Sequence, residues 1–295
     1  MSIEPEMSIE PEIASKLFSP QIPHVEHLLK CTEPRTVILD GSEPGTGKTY
    51  TMAAFCAAKK PHRIRPLIVA PKQSVPMHYN VCESFGVEPL GVVNYETLKN
   101  GRYYESLDDF YMGIRVECPY IKIERTPLLG RDGCPSRTKG GQIKTTVKRI
   151  SWDLPTDSVV VFDEAHRGKN GLYGGQTLNS ELMISIRPYL DRTVRKYGMI
   201  LSATLTDKPE NFDTAGYIMG LYQPHVRKVY DQFITRVSRA NNGNLMSGFH
   251  KLLYPAYGSR MTKAAIKELT GDTIFKANKV KAKAYTIDQA TALRI

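Results

Sequence analysis

Apolar residues gather in five short runs along this chain, at about residues 36–40, 67–70, 91–93, 158–162 and 198–202. Thr36-Val37-Ile38-Leu39 and Ser158-Val159-Val160-Val161-Phe162 are rich in β-branched side chains and carry no polar alternation. A strand of that composition is buried on both faces, as in a parallel sheet covered by helices on each side. Helix-prone segments fall between the runs, among them Ile22 to Lys30 and Tyr50 to Lys60. Strand and helix in alternation predict an α/β fold with a parallel sheet sandwiched by helices. With 295 residues, 41% of them apolar, the chain can bury the core of one large or two modest domains.

Chemistry-bearing residues sit where these runs end. After the first comes Ser42-Glu43-Pro44-Gly45-Thr46-Gly47-Lys48-Thr49, with a helix-prone run behind it. Strand, glycine-rich turn and helix is the context of a phosphate-binding loop. Gly45 and Gly47 permit a backbone path that aims several N–H groups at an anion, and the helix adds the positive end of its dipole. Lys48 is placed to reach β- and γ-phosphates, and the Thr49 hydroxyl to ligate Mg²⁺. The strict pattern wants glycine at position 42, where this chain has serine, with Gly41 one place early. The run from Ser158 ends in Asp163-Glu164-Ala165-His166. There Asp163 can hold Mg²⁺ through water while Glu164 orients and deprotonates an attacking water, a division of labour that suits phosphoryl transfer. The fifth run ends in Ser202-Ala203-Thr204.

In this order, Gly-x-Gly-Lys-Thr, Asp-Glu-Ala-His and Ser-Ala-Thr resemble motifs I, II and III of superfamily-two helicases and translocases. Leu17-Phe18-Ser19-Pro20-Gln21 resembles the glutamine motif that reads adenine, Leu67 to Lys72 motif Ia, and Val92 to Leu98 motif Ib. The resemblance spans residues about 17 to 224 and implies a RecA-like ATP-binding lobe over 13–225, with an insertion at about 103–152. It implies ATP and Mg²⁺ as cofactors. Catalysis is then expected from Lys48, Asp163, Glu164 and His166, with Gln21 and Glu43 to Thr49 (Pro44, Gly45, Thr46, Gly47 and Lys48 between them) around the nucleotide. Thr49 and Asp163 are expected at the metal. Ser202 and Thr204 would couple the nucleotide to motion, and Lys72 and Thr97 would touch nucleic-acid phosphates.

The implied partner is nucleic acid, DNA before RNA, in a Swi/Snf-type or viral or phage branch, although motif III departs from the Gly-Thr-Pro form of Swi/Snf remodellers. Nothing here resembles the arginine-bearing motif VI of the second RecA-like lobe, so full activity is expected to need that lobe, in cis or in trans. An isolated chain is then expected to turn over slowly. An RNA helicase lobe and a non-hydrolysing nucleic-acid-binding module are the alternative readings.

Charge agrees with a polyanionic partner: the net charge is +10. Between Gly113 and Ser151 nine basic residues (Arg115, Lys122, Arg125, Arg131, Arg137, Lys139, Lys144, Lys148 and Arg149) face only Glu117, Glu124 and Asp132. Two extended pieces, Tyr120 to Glu124 and Gln142 to Trp152, predict a basic β-hairpin there. Residues 226–295 read as a basic helical extension or linker. The five cysteines are widely spaced and odd in number, which opposes a disulfide framework or zinc site and favours a reducing compartment. No apolar run approaches the roughly 18 residues of a membrane span, so a soluble intracellular protein without a membrane partner is expected. Residues 1–12 are a doubled Met-Ser-Ile-Glu-Pro-Glu, read as a duplicated start and expected to be poorly ordered.

Overall fold

Ten strands and the helices between them are present in the computed structural model, which describes residues 9–59, 63–130, 133–168, 171–172, 177–205 and 209–270. In chain order the strands are β1 (Val37–Asp40), β2 (Arg65–Ala70), β3 (Gly91–Asn94), β4 (Arg102–Tyr103), β5 (Val116–Glu117), β6 (Ile121–Pro127), β7 (Thr145–Trp152), β8 (Ser158–Asp163), β9 (Lys196–Leu201) and β10 (Gly258–Ser259). Six of them form one sheet in the order β10-β1-β9-β8-β2-β3, and every pairing in it is parallel. The five apolar runs are the five long strands of this sheet.

Alternation along each strand feeds two separate cores. Val37, Leu39, Leu67, Val69, Val160, Phe162 and Ile200 face one side of the sheet. Ile38, Ile68, Ala70, Val159, Val161, Met199 and Leu201 face the other. Both faces are dry, which is why these strands read as continuous apolar runs. Each such Val, Leu, Ile, Met or Phe side chain contributes about 1.5–3 kcal/mol by leaving water. Helices Gln21–Cys31, Lys48–Ala58 and Val75–Ser84 cover the second face, and Leu178–Leu190 and Pro209–Ile218 supply buried residues to the first. This is the parallel sheet sandwiched by helices that the strand pattern predicts.

The basic insertion leaves the main sheet. Strands β6 and β7 form an antiparallel hairpin, and a bulge between Glu124 and Arg125 shifts the register so that Val147 pairs with Arg125. The bulge keeps Val147 on the side of Ile150 and Trp152 despite the extra residue, Lys148. At the hairpin base the Trp152 indole donates to Ser185 Oγ at 2.8 Å. Arg125 reaches back to the Lys99 carbonyl at 3.0 Å and Asn100 Oδ1 at 3.1 Å.

Two compact units divide the chain, one ending at Met261 and the other beginning at Thr262. The first thus continues past residue 225. Helices Arg227–Arg239 and Leu245–Leu253 belong to it because Tyr230, Phe233 and Phe249 bury their rings with Phe212 and Tyr222; Phe212 and Phe249 centroids lie 4.5 Å apart. In the second, helix Lys263–Thr270 starts after Thr262, whose Oγ1 accepts from the Ala265 N–H at 3.1 Å. The remainder of the basic stretch to Arg294 lies outside the described residues. So do residues 1–8 of the doubled start; Ile9 is buried, and Ile13 of the short helix Pro11–Ala14 joins it in the core. Among the described residues, no helix is long and apolar enough to cross a membrane.

Candidate nucleotide site

Parallel pairing brings the chemistry to one edge. Asp40 at the end of β1 and Asp163 at the end of β8 both pair with Leu201 at the end of β9. One strand over, Ala70 and Asn94 close β2 and β3 in the same register. The glycine-rich loop, the Asp163–His166 segment, Ser202 and Lys72 therefore all leave the sheet at its carboxyl edge, where α/β proteins hold their ligands.

The loop has the predicted glycine-dependent path, with φ of 81° at Gly45 and 91° at Gly47. Gly47 is required twice. A Cβ there would lie 2.2 Å from Gln21 Nε2, and its φ is strained for any other residue. Gln21 is buried beneath the loop: its amide donates to the Thr46 carbonyl at 3.0 Å while its carbonyl accepts from the Phe18 N–H at 2.9 Å. One amide hydrogen remains for another acceptor. Lys48 opens helix Lys48–Ala58 and donates to the carbonyls of Ser42 at 2.9 Å and Glu43 at 3.3 Å, and Thr49 is half-buried beside it. Pro44 and Gly45 form the exposed tip, and Thr46 Oγ1 ties back to the Glu43 carbonyl at 2.8 Å.

The irregular Gly41-Ser42 pair has a packing cause. A Cβ on Gly41 would sit 1.6 Å from the Tyr254 hydroxyl oxygen. Ser42 is fully buried, and its Oγ accepts from the Met261 N–H at 2.9 Å. The segment around β10 thus covers the flank of the loop. Only glycine fits at position 258, since a Cβ there would lie 1.9 Å from the Leu39 carbonyl oxygen.

Two carboxylates terminate the strands on either side of β9, and each meets a buried histidine. Asp40 is wholly buried. It accepts from the Ser42 N–H at 3.0 Å and the Thr51 hydroxyl at 2.8 Å, and His24 Nε2 lies 3.1 Å away. Burial works to raise its pKa, but the charge of His24 and the hydrogen bonds from His24, Ser42 and Thr51 outweigh it and hold the carboxyl below its ordinary value. Asp163 is 8% exposed; its Oδ2 accepts from His78 Nε2 at 2.9 Å and its Oδ1 from the Glu164 N–H at 2.9 Å. The Tyr95 hydroxyl donates to the Asp163 carbonyl at 2.9 Å. Glu164 adopts φ 49°, a left-handed conformation that costs a non-glycine residue energy. His166 Nδ1 lies 3.1 Å from Glu164 Oε2.

The other expected residues divide. Ser202 is buried on this edge, its N–H donating to the Asp40 carbonyl at 3.2 Å and its Oγ without a partner among the described residues. Thr204 is half-buried, two positions on. Lys72 is exposed at the start of the turn Lys72–Ser74. Thr97, expected against nucleic-acid phosphates, is instead buried, with its hydroxyl donating to Asn94 Oδ1 at 2.9 Å. That hydroxyl braces the end of β3 and does not face solvent. Asp40, His24, His78 and Tyr95 are not expected from the motifs. A signal for Asp40 does exist, since Val37-Ile38-Leu39-Asp40 ends in a carboxylate as the run to Asp163 does.

Over 223 residues the chain is 32% identical to a protein of Acanthamoeba polyphaga mimivirus described as a "Putative ATP-dependent RNA helicase". The match covers 76% of this chain and 36% of the relative, so the chain spans about a third of that protein's length. A solved structure, the Sulfolobus solfataricus SWI2/SNF2 ATPase core in complex with dsDNA, aligns over 89% of this chain and 47% of its own at 14% identity and a TM-score of 0.49. No family model matches.

Proposed function

We propose that this chain, which carries a superfamily-two helicase-type RecA-like domain, binds Mg-ATP at the carboxyl edge of its sheet and couples hydrolysis to movement along nucleic acid. One observation carries the reading: the phosphate loop and the Asp163–Glu164 pair sit on strands that flank β9 in register. Backbone N–H groups from Gly45 to Thr49 would cradle phosphates, and Lys48, now on two loop carbonyls, would exchange them for phosphate oxygens. Thr49 and Asp163 would hold the metal, whose chemistry is to neutralise charge on the phosphates. Glu164 orients the attacking water, and His166 beside it joins Ser202 and Thr204 in passing the nucleotide's state to the rest of the lobe. Gln21 fixes the loop from beneath and keeps one amide hydrogen for the base; Glu43 and Pro44 line the approach. Lys72 contacts the nucleic-acid backbone, which carries no sequence information.

Turnover then depends on a second RecA-like lobe, in cis or in trans, that supplies an arginine worth on the order of 10³–10⁵ in rate. The sequence favours DNA as the track, whereas the mimivirus relative is described as an RNA helicase. Stimulation of ATP turnover by duplex DNA, single-stranded DNA and RNA ranks these two readings. The test of the site itself is direct. A fluorescent ATP analogue is expected to bind in a Mg²⁺-dependent manner, and Lys48→Ala to lose about tenfold or more in affinity. Equal binding by the wild type and Lys48→Ala would remove the nucleotide reading.

A further inference from the structure

We infer that His78 is a positioning residue for the metal: it holds the Asp163 carboxylate in the orientation that presents it to Mg²⁺. The inference rests on the proposed nucleotide site and adds to it a residue from a helix that no motif includes. His78 lies in helix Val75–Ser84, fully buried, with Nε2 2.9 Å from Asp163 Oδ2. Since a carboxylate only accepts, Nε2 carries the hydrogen. The other imidazole nitrogen, Nδ1, is buried without a partner among the described residues.

A buried ring nitrogen without a partner costs about 1–3 kcal/mol, and a core that wanted only packing would place a leucine or phenylalanine here. What His78 provides in return is control of Asp163. The two carboxylate oxygens each accept one hydrogen bond from protein, Oδ2 from His78 and Oδ1 from the Glu164 N–H. These two bonds, on opposite oxygens, set the rotation of the carboxylate plane. The bond to Glu164 comes from the adjacent residue and moves with it; the bond to His78 comes from another element and ties the carboxylate to the body of the domain. Asp163 keeps its limited exposure at the strand end, so lone pairs on the open side stay available. An imidazole that orients a metal-facing carboxylate is an outer-shell device, and loss of such a partner costs about 10–100-fold in metal affinity.

The experiment measures affinity of this 295-residue chain for a fluorescent ATP analogue across a Mg²⁺ titration and in EDTA, with circular dichroism melting as a fold control. His78→Phe fills the space without the N–H and is expected to raise the Mg²⁺ concentration for half-maximal binding by about tenfold or more, with EDTA affinity unchanged. His78→Gln, whose amide can donate to Oδ2, is expected to recover most of the loss; His78→Asn, one methylene shorter, is not. Should His78→Phe fail to fold, the contrast between Gln and Asn decides the matter alone. A folded His78→Phe with wild-type Mg²⁺ dependence overturns the inference, as do equal losses with and without metal, which mark a purely structural residue. A wild type that binds nucleotide without regard to Mg²⁺ overturns the underlying site reading instead, so the two failures are separable.

Discussion

Asp40 and Asp163 end neighbouring strands on either side of β9, and each lies against a buried histidine, yet their surroundings assign them opposite tasks. Asp40 has no exposure and is surrounded by a main-chain N–H, a hydroxyl and an imidazole. Those donors make it the anchor of the loop: the Ser42 N–H belongs to the loop's first turn and Thr51 to the first turn of the helix behind it. Asp163 has fewer donors and retains some exposure. A carboxylate saturated by protein donors rigidifies its surroundings, while one left partly open can serve a ligand. The same residue type at equivalent strand ends is thus enclosed by donors in one case and left partly open in the other.

Alanine at the two positions gives the largest contrast. Asp40→Ala strands a buried imidazole and a main-chain N–H, while the Thr51 hydroxyl keeps the Lys48 carbonyl at 2.9 Å, and is expected to cost about 3–5 kcal/mol. Asp163→Ala strands His78 and the Glu164 N–H at a strand end that keeps some exposure, and is expected to cost about 1–3 kcal/mol. Nucleotide binding should respond in the other sense: Asp163→Ala folds but loses its Mg²⁺ dependence. Urea unfolding of both variants measures the first difference. Equal costs would mean that Asp40 is no more an anchor than Asp163.

Gly41 ranks next. An added Cβ meets the Tyr254 hydroxyl at 1.6 Å, so Gly41→Ala is expected to destabilise by about 1–3 kcal/mol through overpacking. In a Tyr254→Leu background the penalty should largely vanish. If the two substitutions add without coupling, the packing account of the shifted glycine fails.

Much of this edge was legible in the sequence, for a physical reason. Phosphate binding constrains residues adjacent in the chain, so Gly45, Gly47, Lys48 and Thr49 announce themselves by spacing. The five long strands announce themselves because both faces are dry. The histidines do not: His78 and Asp163 are 85 positions apart, and only the order of β8 and β2 in the sheet brings them together. A two-residue strand such as β10 offers no periodicity at all. Thr97 shows the converse, because a residue at a motif's place can face inward, here with its hydroxyl on Asn94 Oδ1 at the end of a strand. Tyr230, Phe233 and Val237 recur at helical spacing and were readable as a buried face, although charge dominates that segment.

A third histidine, the half-buried His225, sharpens the comparison because aromatic rings take the place that Asp40 and Asp163 fill for the other two. It packs by Tyr217 and Tyr222, and its Nε2 is without a partner among the described residues. Burial lowers its pKa from 6.5 to about 4. The unfolded chain therefore takes up this proton near pH 6.5 and the folded chain only near pH 4. Below pH 6.5 the unfolded state binds more protons, so stability falls as pH falls across that window and His225 adds no further slope beneath pH 4. Asp40, with its lowered pKa, contributes stability that is complete above the ordinary carboxylate value of 3.8 and is lost as pH falls beneath it. His225→Phe is expected to flatten the upper part of the denaturation profile and leave the lower part intact. An unchanged slope between pH 6.5 and 4 would show that the imidazole is not desolvated.

The smallest expected effect separates the nucleotide edge from the basic hairpin. Lys148 and Arg149 are exposed on β7, while the hairpin is fastened through Trp152 and Arg125 at other positions. Replacing both with glutamine removes charge without disturbing those anchors or the sheet edge. If the hairpin lies along nucleic-acid phosphates, the slope of log affinity against log salt should become shallower by about 0.7–0.9 for each phosphate that is no longer neutralised. Mg-nucleotide affinity should not change, because charges that far into solvent are screened beyond about 10 Å at ordinary ionic strength. A salt slope equal to that of the wild type would assign the hairpin's charge to solvation alone, and a parallel loss of nucleotide binding would show that insertion and sheet edge do not act as separate regions.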